Sequence, residues 1–398
     1  MFSTFRTNRT LFIIALIALV NMLGYGIVIP ILYAYSKKFG LSDLQNGFLF
    51  AIFSICAFLS TPIIGRLSDK YGRRPLLIIS IFGTVVSFFM QAFAPNAAFL
   101  FIARALDGLT AGNIPVAFAV ISDSTKPEDR PKAFGLVGAA FSFGFVFGPA
   151  TAALTVGFGS GVPFIVAGVI TTIAAILTVL YLPETNKHMG EVQEGKLFDF
   201  PKLWRTLFDP NIGATFVIAL LFYLAFACAI IYGYQPFTLK VLHVNQSGNA
   251  ILFTMFGVVG LISQSFLVQR IAKMFGQKKA FSLGILLTAV AFVIMYFSHA
   301  LPIFIVASIL LGVVNSIVQT LLPSILSQEA DAKSQGSIMG LSASYQSIGM
   351  MIGPILGGLV ATLSIPLPFL VGAGLILLCY LLSFKVMRSG IKPESAFA

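Results

Sequence analysis

A ten-residue charged segment separates two long apolar runs near the start of the chain. It reads Gly65-Arg66-Leu67-Ser68-Asp69-Lys70-Tyr71-Gly72-Arg73-Arg74. Half of its residues are charged, whereas the flanking runs at 45–65 and 75–95 hold no Asp, Glu, Lys or Arg. We expect Gly65 to let a helix end approach its neighbour closely and Gly72 to permit a tight turn. The pattern predicts two apolar helices joined by a short polar loop, whose charges can pair or face a helix terminus.

The whole chain of 398 residues shows the same contrast. Its residues are 58% hydrophobic and only 10% charged, whereas soluble domains are roughly 45–50% apolar and about 25% charged. This composition excludes a water-soluble enzyme. The apolar content is too high for a disordered chain, and cysteine is too scarce for a disulfide-stapled secreted domain. The charged content is too low for a coiled coil. We therefore expect a non-enzymatic, polytopic protein whose main partner is the lipid bilayer.

Neither a metal site nor a cofactor site is visible in the sequence. The three histidines lie far apart, and a metal site needs clustered ligands. The three cysteines all lie inside apolar runs, as small hydrophobic residues do: Cys56, Cys228 and Cys379. The net charge of +11 would suggest nucleic acid for a soluble chain. In a membrane chain it reflects topology, so no nucleic-acid partner is expected.

Twelve apolar stretches are long enough to cross a bilayer, since a spanning helix needs about 20 mainly apolar residues. They lie at residues 11–34, 45–65, 75–95, 98–121, 133–155, 162–182, 212–236, 248–270, 279–299, 302–327, 336–362 and 366–386. We number them span 1 to span 12. The predicted fold is all-α and integral to the membrane, because a β-barrel would show short alternating strands instead.

The basic residues give the orientation. Of the 25 Lys and Arg residues, 21 lie at the termini and in the loops that share their side of the membrane. The opposite loops hold three, Lys37, Lys38 and Lys240, and one, Arg104, lies inside a span. Because basic residues accumulate on the cytoplasmic side, both termini are expected to face the cytoplasm. The first span reads as an uncleaved anchor of a plasma membrane protein.

An internal repeat divides the chain. Five residues of the first half recur 205 positions later. Gly135, Leu136, Gly144, Gly148 and Pro149 correspond to Gly340, Leu341, Gly349, Gly353 and Pro354, and Gly72 recurs 204 positions later as Gly276. We therefore predict two pseudo-symmetric six-helix bundles, residues 1–182 and 211–398. Residues 183–210 would form a cytoplasmic linker with one amphipathic helix near 198–208. Parallel halves of this kind occur in alternating-access carriers, which bind substrate between the halves.

The charged segment matches G-x-x-x-D-[RK]-x-G-R-[RK] at every defined position and so resembles the loop signature of the major facilitator superfamily. The resemblance implies that fold and a conformational gate on the cytoplasmic side, closed while the carrier is open outward. The gate residues it implies are Gly65, Asp69, Gly72, Arg73 and Arg74, with Asp123 at the end of span 4 as partner. In the alternative interpretation the basic residues serve topology alone.

Spans 5 and 11 carry a second motif. Span 5 holds Gly144, Gly148 and Pro149, similar to the G-x-x-x-G-P-x-x-G-G element of the family's drug antiporters. Its final glycine pair is replaced by Ala152 and Ala153. Span 11 keeps the whole pattern: Gly349, Gly353, Pro354, Gly357 and Gly358. Small residues let helices pack closely, so packing alone could also explain the motif.

The chain resembles the tetracycline-efflux branch of the family most, although that branch carries an acid in span 1 where Asn21 stands here. The ionisable side chains deep inside a span are Arg104 and Asp107. A charge at a helix centre costs about 2.5–3.5 kcal/mol on insertion scales, so such residues are functional candidates. Their spacing of three puts them on one helix face. Because the segment resembles the family's R-x-x-x-G element, we predict proton coupling through Asp107 beside Arg104; a fixed structural ion pair is the alternative.

Uncharged hydrogen-bonding side chains inside the spans are candidates for substrate binding. They are Asn21, Tyr25, Tyr232, Gln235, Gln264, Asn315, Gln319, Tyr345 and Gln346. Each could instead hold two helices together by a hydrogen bond.

The sequence favours a monomeric secondary transporter that exports small amphipathic or drug-like molecules in exchange for protons across a bacterial inner membrane. There is no G-x-x-x-x-G-K-[ST] segment for ATP binding. The second interpretation is an importer or facilitator of a small metabolite such as a siderophore, sugar or amino acid. The third is a transport-inactive membrane receptor.

Overall fold

The computed structural model describes residues 2–126, 128–186, 190, 200–210, 212–329 and 335–388, and these residues are largely helical. The α-helices are α1 Phe2–Lys37, α2 Asp43–Tyr71, α3 Arg73–Ala92, α4 Ala97–Thr110, α5 Asn113–Ser124, α6 Arg130–Thr155, α7 Val162–Tyr181, α8 Phe200–Leu207, α9 Gly213–Phe226, α10 Tyr234–Lys240, α11 Gln246–Ile262, α12 Val268–Phe275, α13 Gln277–Tyr296, α14 Leu301–Glu329, α15 Gln335–Ala361 and α16 Leu367–Arg388.

Eleven helical segments of the described chain are long and apolar enough to cross a membrane. The remaining predicted span is α15, which has 27 residues but a more polar composition that includes Tyr345 and Gln346. The prediction of an all-α integral membrane protein with twelve spans is confirmed.

The charged segment is not the ten-residue loop that we expected. Helix α2 continues through Arg66 and Lys70 to Tyr71, and α3 begins at Arg73. Hydropathy marks where a chain leaves lipid, but Arg and Lys are good helix formers, so the helix runs on into water. Gly72 alone makes the turn, with a φ of +102° that favours glycine. The expectation for Gly65 was wrong, because nothing in the described chain lies within 4 Å of where its Cβ would be.

Several spans are not the continuous helices that the apolar runs predicted. Span 4 breaks between α4 and α5 at Ala111 and Gly112. A Cβ on Gly112 would lie only 3.1 Å from the Cα of Thr61 on α2, so close contact with the neighbouring helix accompanies the break. Spans 7 and 8 contain π-helical turns at Ala227–Gly233 and Ser263–Leu267. Such turns depend on tertiary contacts and often lie at functional sites.

The chain forms two compact units. The described residues of the first lie within Met1–Leu41, Ile52–Phe198 and Asn245–Thr254, and those of the second within Ser42–Ala51, Asp199–Val244 and Met255–Ala398. The unit boundaries therefore cross α2 and α11. The division into bundles 1–182 and 211–398 with a linker at 183–210 stays a prediction. Of that linker, residues 187–189 and 191–199 lie outside the described residues, and its helix is observed at Phe200–Leu207.

In the first unit, α6 packs backbone to backbone on α1. A Cβ on Gly144 would lie 2.6 Å from the carbonyl oxygen of Leu19, and one on Gly148 would lie 2.7 Å from that of Leu23. Real Cβ contacts are not that short, so both positions need glycine. Pro149 follows directly inside α6, where a proline bends a helix.

In the second unit, α15 packs on α9 in the same way. A Cβ on Gly349 would lie 2.7 Å from the nitrogen of Leu224, and one on Gly353 would lie 2.6 Å from its carbonyl oxygen. Pro354 again follows directly. The repeated glycines therefore make equivalent helix contacts in both units, as small residues do between helices that lack a hydrophobic driving force in lipid.

We predict that Gly148→Ala destabilises the protein, because its new methyl group overlaps the α1 backbone. Overpacking of this kind costs about 1–3 kcal/mol. Thermal unfolding in detergent measures the effect. The matched control is Gly138→Ala in the same helix, where a Cβ would meet open space. That change should be neutral or stabilising by about 0.5–1 kcal/mol, and equal melting temperatures for the two variants would contradict the packing argument.

Candidate functional site

The two intramembrane charges contact each other on α4. The Nη1 atom of Arg104 lies 2.8 Å from Oδ2 of Asp107. Only 3% of Arg104 and 6% of Asp107 is exposed. Because both charges are buried and the pair is hydrogen-bonded, each neutralises much of the other's desolvation cost.

Three other helices surround this pair. The guanidinium of Arg104 stacks over the ring of Phe53 on α2, 4.5 Å from its centroid, a favourable cation–π geometry. The ring of Tyr25 on α1 lies 6.1 Å from that of Phe53. The hydroxyl of Ser87 on α3 lies near the Asp107 carboxylate and donates to the Thr84 carbonyl at 2.9 Å. The Nε atom of Arg104 is buried without a hydrogen-bond partner in the described chain, which leaves one donor of the guanidinium available.

Glycine at the position after Asp107 brings α4 against α2. A Cβ on Gly108 would overlap the carbonyl oxygen of Phe53, and it would lie 2.8 Å from the Cβ of Cys56. The Ser60 hydroxyl donates to the Gly108 carbonyl at 3.2 Å. The helix contact itself therefore places Arg104 over Phe53.

The second unit repeats this contact with a different chemistry. A Cβ on Gly312, 204 positions after Gly108, would meet the carbonyl oxygen of Phe256 and the side chain of Val259. The rings of Phe226 and Phe256 lie 6.4 Å apart, nearly the separation of Tyr25 and Phe53. At the positions of Arg104 and Asp107, however, the sequence has Ser308 and Leu311. The packing scaffold is duplicated, and the charge pair is not.

The predicted gate residues meet within the first unit. The side chain of Arg73, at the start of α3, pairs with Asp69 near the end of α2. The Nε atom of Arg73 lies 3.2 Å from Oδ2 of Asp123. Its Nη1 also donates to the Ser68 hydroxyl at 2.7 Å. Arg74 points elsewhere, since its Nη2 donates to the Val179 carbonyl at 2.8 Å.

Glu184, just after α7, completes this network. Its two carboxylate oxygens accept hydrogen bonds from the backbone N–H groups of Arg73 at 3.0 Å and Arg74 at 3.1 Å. These are unsatisfied donors at the start of α3, where negative charge is favourable. The amide of Asn186 donates to the Asp69 carbonyl at 2.9 Å. The ends of α2, α5 and α7 are thus tied to the first turn of α3.

Of the candidate substrate residues in the first unit, Asn21 contacts a neighbouring helix. Its Nδ2 donates to Oδ1 of Asn113 at 3.1 Å and to the Ile17 carbonyl at 2.9 Å. This is the helix-joining contact that we considered as the alternative to substrate binding. Tyr25 is half-buried beside the charge pair.

Two tyrosines of the second unit also make helix contacts. The Tyr232 hydroxyl donates to the Asp43 carbonyl at 2.8 Å. The Tyr345 hydroxyl donates to the Leu203 carbonyl of α8 at 2.5 Å. Both tyrosines are buried, so a substrate would have to displace these bonds.

The remaining candidates differ in exposure. Gln235 is fully buried, whereas Gln264 and Gln346 are exposed. Asn315 and Gln319 are half-buried one turn apart on α14, with 3.5 Å between Nε2 of Gln319 and Oδ1 of Asn315. The structure thus spreads these amides over several helix faces.

The first unit contains an open apolar cavity of about 630 Å³ along α1 and α6, in which Phe143 and Phe147 are about half exposed. Its lining residues are Leu19, Leu23, Leu136, Ala139, Ala140, Phe143, Phe147 and Thr151. The rings of Phe143 and Phe147 stack 5.7 Å apart. Among the described residues, no group of three His, Cys, Asp or Glu side chains could hold a metal ion.

The family model of the Major Facilitator Superfamily matches two overlapping segments, residues 14–274 and 215–397. The chain belongs to the Major Facilitator Superfamily. It is therefore a multi-pass transporter of the plasma membrane, as predicted, with an internal resemblance between its two halves.

Relatives that span nearly the whole chain are named for drug resistance. The tetracycline resistance protein, class C, of Escherichia coli is 27% identical and covers 94% of this chain and 96% of its own length. The multidrug resistance protein 1 of Bacillus subtilis is 29% identical and covers 92% of each. The predicted similarity to the tetracycline-efflux branch is confirmed.

Solved structures share the fold. A bacterial homologue of the human lysosomal transporter Spinster, in an inward-facing and unoccupied conformation, matches with a TM-score of 0.80 at 14% identity, over 98% of this chain and 99% of that one. The human organic anion transporter MFSD10 matches with a TM-score of 0.69 at 20% identity, over 95% and 99%.

The superfamily loop signature identified Arg73 and Asp69 but not their carboxylate neighbour. Glu184 stands 111 positions after Arg73, and no pattern around the charged segment points to it. Phe53 and Ser87 also escaped prediction, because an aromatic or a serine inside an apolar run carries no signal of what it faces.

We predict that Glu184→Ala lowers stability by about 0.5–2 kcal/mol, the usual cost of losing a helix-capping side chain. The loss leaves two N–H donors of α3 without their charged acceptor. A thermal melt in detergent checks it. Asp129→Asn is the control, because Asp129 also precedes a helix but its side chain makes no capping hydrogen bond. If Asp129→Asn were as damaging as Glu184→Ala, the capping explanation would be wrong.

Proposed function

We propose that this transporter exports small amphipathic, drug-like molecules as a monomer and drives export by proton movement through Asp107. The observation that carries the proposal is that both units contain the same type of helix contact, whereas only the first unit places a charge pair beside it. Gly312 and Phe256 build a looser form of the helix contact between Gly108 and Phe53, with Ser308 and Leu311 in place of the charge pair. The fold therefore does not need Arg104 and Asp107 for packing, and a buried charge pair without a structural need is a functional candidate.

The geometry supports a proton cycle at one carboxylate. When Asp107 is ionised, its Oδ2 accepts the hydrogen bond from Arg104. A proton on Oδ2 removes both the negative charge and that acceptor, so the guanidinium loses its counter-ion. Phe53 still stabilises the cation from its ring face. Protonation would thus change the position that Arg104 prefers, which is the kind of local charge change that biases a two-state protein.

The apolar cavity along α1 and α6 supports the proposed substrate class. Phe143 and Phe147 offer stacked ring faces, and Thr151 is the one hydroxyl in the lining. Such a surface suits flat, largely apolar molecules with few hydrogen-bonding groups. The names of the relatives, tetracycline resistance and multidrug resistance, agree with that class.

The proposed gate is the set of ion pairs around Arg73. Because these contacts all lie within the first unit, a gating role would require the ends of α2, α3 and α5 to shift against one another during alternating access. Asp69 is 38% exposed and Asp123 is 28% exposed at the side-chain level, so water can replace the contacts when they open.

The importer interpretation rests on two departures: Ala152 and Ala153 replace two glycines, and Asn21 stands where the tetracycline-efflux branch carries an acid. Ala152 is fully buried, so the replacement keeps the small-residue packing of α6. This departure from the drug-antiporter motif therefore gives no structural reason to prefer import.

We predict that Asp107→Asn abolishes transport driven by a pH gradient and preserves exchange of labelled for unlabelled substrate at zero gradient. Asparagine keeps the hydrogen-bonding shape of Asp107 but cannot bind and release a proton. Proteoliposomes loaded with a fluorescent cationic dye measure both activities. The control is Glu128→Gln, which removes an exposed carboxylate outside the site.

Gradient-driven export by Asp107→Asn at the rate of the unmodified protein would overturn the proton role. Movement of the dye in the same direction as the protons would overturn export in exchange for protons. Loss of both gradient-driven transport and exchange, with normal thermal stability, would show that the carboxylate acts in substrate binding.

A further inference from the structure

Three large aromatic side chains lie exposed on one face of α8. Phe200 is 59% exposed, Trp204 67% and Phe208, one residue after the helix, 71%. Their spacing of four residues places them in one stripe along the helix. The rings of Trp204 and Phe208 contact each other, with centroids 5.5 Å apart.

The opposite face of α8 is fixed to the second unit. The Leu203 carbonyl accepts the hydroxyl of Tyr345 at 2.5 Å, and Nζ of Lys202 donates to the Ser337 hydroxyl at 2.8 Å. Thr206 is buried. Because both bonds go to α15, α8 cannot rotate its aromatic stripe toward the protein without breaking them.

A basic side chain lies on a third face. At 100° per residue, Arg205 lies about 100° from the centre of the aromatic stripe. Arg205 is exposed. The helix is therefore divided into a face bound to α15, an aromatic face and a basic edge, which is the arrangement of a helix that lies in a membrane interface.

The position of α8 agrees with that arrangement. Five residues after Phe208 the chain enters Gly213–Lys240, a segment of membrane-spanning length. The N–H of Gly213 donates to the Asp209 carbonyl at 3.0 Å, so the connection is compact. The basic loops assign this end of the spans to the cytoplasm, whose leaflet carries the anionic lipids.

We infer that α8 is an interfacial anchor that inserts Phe200, Trp204 and Phe208 into the cytoplasmic leaflet and sets Arg205 against anionic lipid headgroups. Trp is well suited to the boundary between headgroups and acyl chains. Through Ser337 and Tyr345, the anchor holds the first part of α15 near that boundary. The inference does not depend on the transported substrate.

Trp204 is the only tryptophan in the chain, so the unmodified full-length protein carries its own reporter. We expect its fluorescence in reconstituted vesicles to be strongly quenched by lipids brominated near the headgroup end of their acyl chains. Lipids brominated near the chain ends should quench less, and aqueous acrylamide only weakly. Quenching by acrylamide as strong as for a free tryptophan analogue would overturn the anchor. Shielding from both quenchers would also overturn it and would indicate a second copy of the chain on this face.

Two repositioned reporters sharpen the test. In Trp204→Phe with Phe208→Trp, the new indole lies in the same stripe and should again be quenched by lipid. In Trp204→Phe with Arg205→Trp, it lies toward the basic edge and should be reached by acrylamide. Equal quenching of the two by lipid would contradict the assignment of faces.

The charge contribution is measured separately. Lipid quenching of Trp204 should increase when phosphatidylglycerol replaces part of the phosphatidylcholine, and Arg205→Gln should remove that increase. If this variant responds to phosphatidylglycerol as the unmodified protein does, the headgroup contact is wrong. Thermal melting of both proteins in detergent identifies any loss of folding.

Discussion

The absence of water from the bilayer interior is the constraint on which this structure depends. In hydrocarbon each polar group must find a partner within the protein, and an isolated charge is costly. Arg104 and Asp107 meet that requirement in one helical turn, with Phe53 below the guanidinium and Ser87 beside the carboxylate. The second unit reaches the same packing with Ser308 and Leu311 at the corresponding positions. A solution without charge was available to the fold, so the pair in the first unit is kept for something other than helix packing.

The same constraint explains the glycine contacts. Lipid tails are as apolar as leucine, so burial of apolar surface cannot hold helices together inside a membrane. Close approach of backbones can, because it multiplies van der Waals contacts. Gly148 of α6, packed on α1, and Gly353 of α15, packed on α9, provide it in the two units, each followed by a proline that bends the helix. Gly108 does the same between α4 and α2 and thereby sets the surroundings of Arg104.

The spans could be predicted because each carries its own signal: about twenty apolar residues between polar ends. The ends and interruptions of the helices could not. Helix α2 passes six residues beyond its apolar run, since charged residues can continue a helix once it has left lipid. The break at Gly112 depends on the nearby backbone of Thr61, which no pattern within span 4 records. Likewise, Tyr345 reads as an intramembrane hydrogen-bonding group, but its partner is a carbonyl of α8, 142 positions earlier. The sequence predicted the pairing of Arg104 with Asp107 and the partnership of Arg73 with Asp123. For Tyr345 and for the first N–H groups of α3, only the tertiary structure identified the partners.

The turns at Gly72 and Gly276 have similar backbone geometry but different side-chain contacts beside them. Both glycines have positive φ, at +102° and +79°. Arg74 donates to a carbonyl of α7, and Lys278, 204 positions later, donates to the Val386 carbonyl of α16.

The neighbouring contact differs between the turns. Arg73 pairs with Asp123 in the first unit, whereas Gln277 accepts a hydrogen bond from Gln328 at 2.7 Å at the equivalent place in the second. Salt screens an exposed ion pair, but a neutral amide pair has no charge to screen. Of these two turns, the one in the first unit therefore carries the contact that responds to ionic conditions, and that unit also holds the Arg104–Asp107 pair. The duplication thus leaves the same backbone turn in both units, with an ion pair beside it in one and an amide pair in the other.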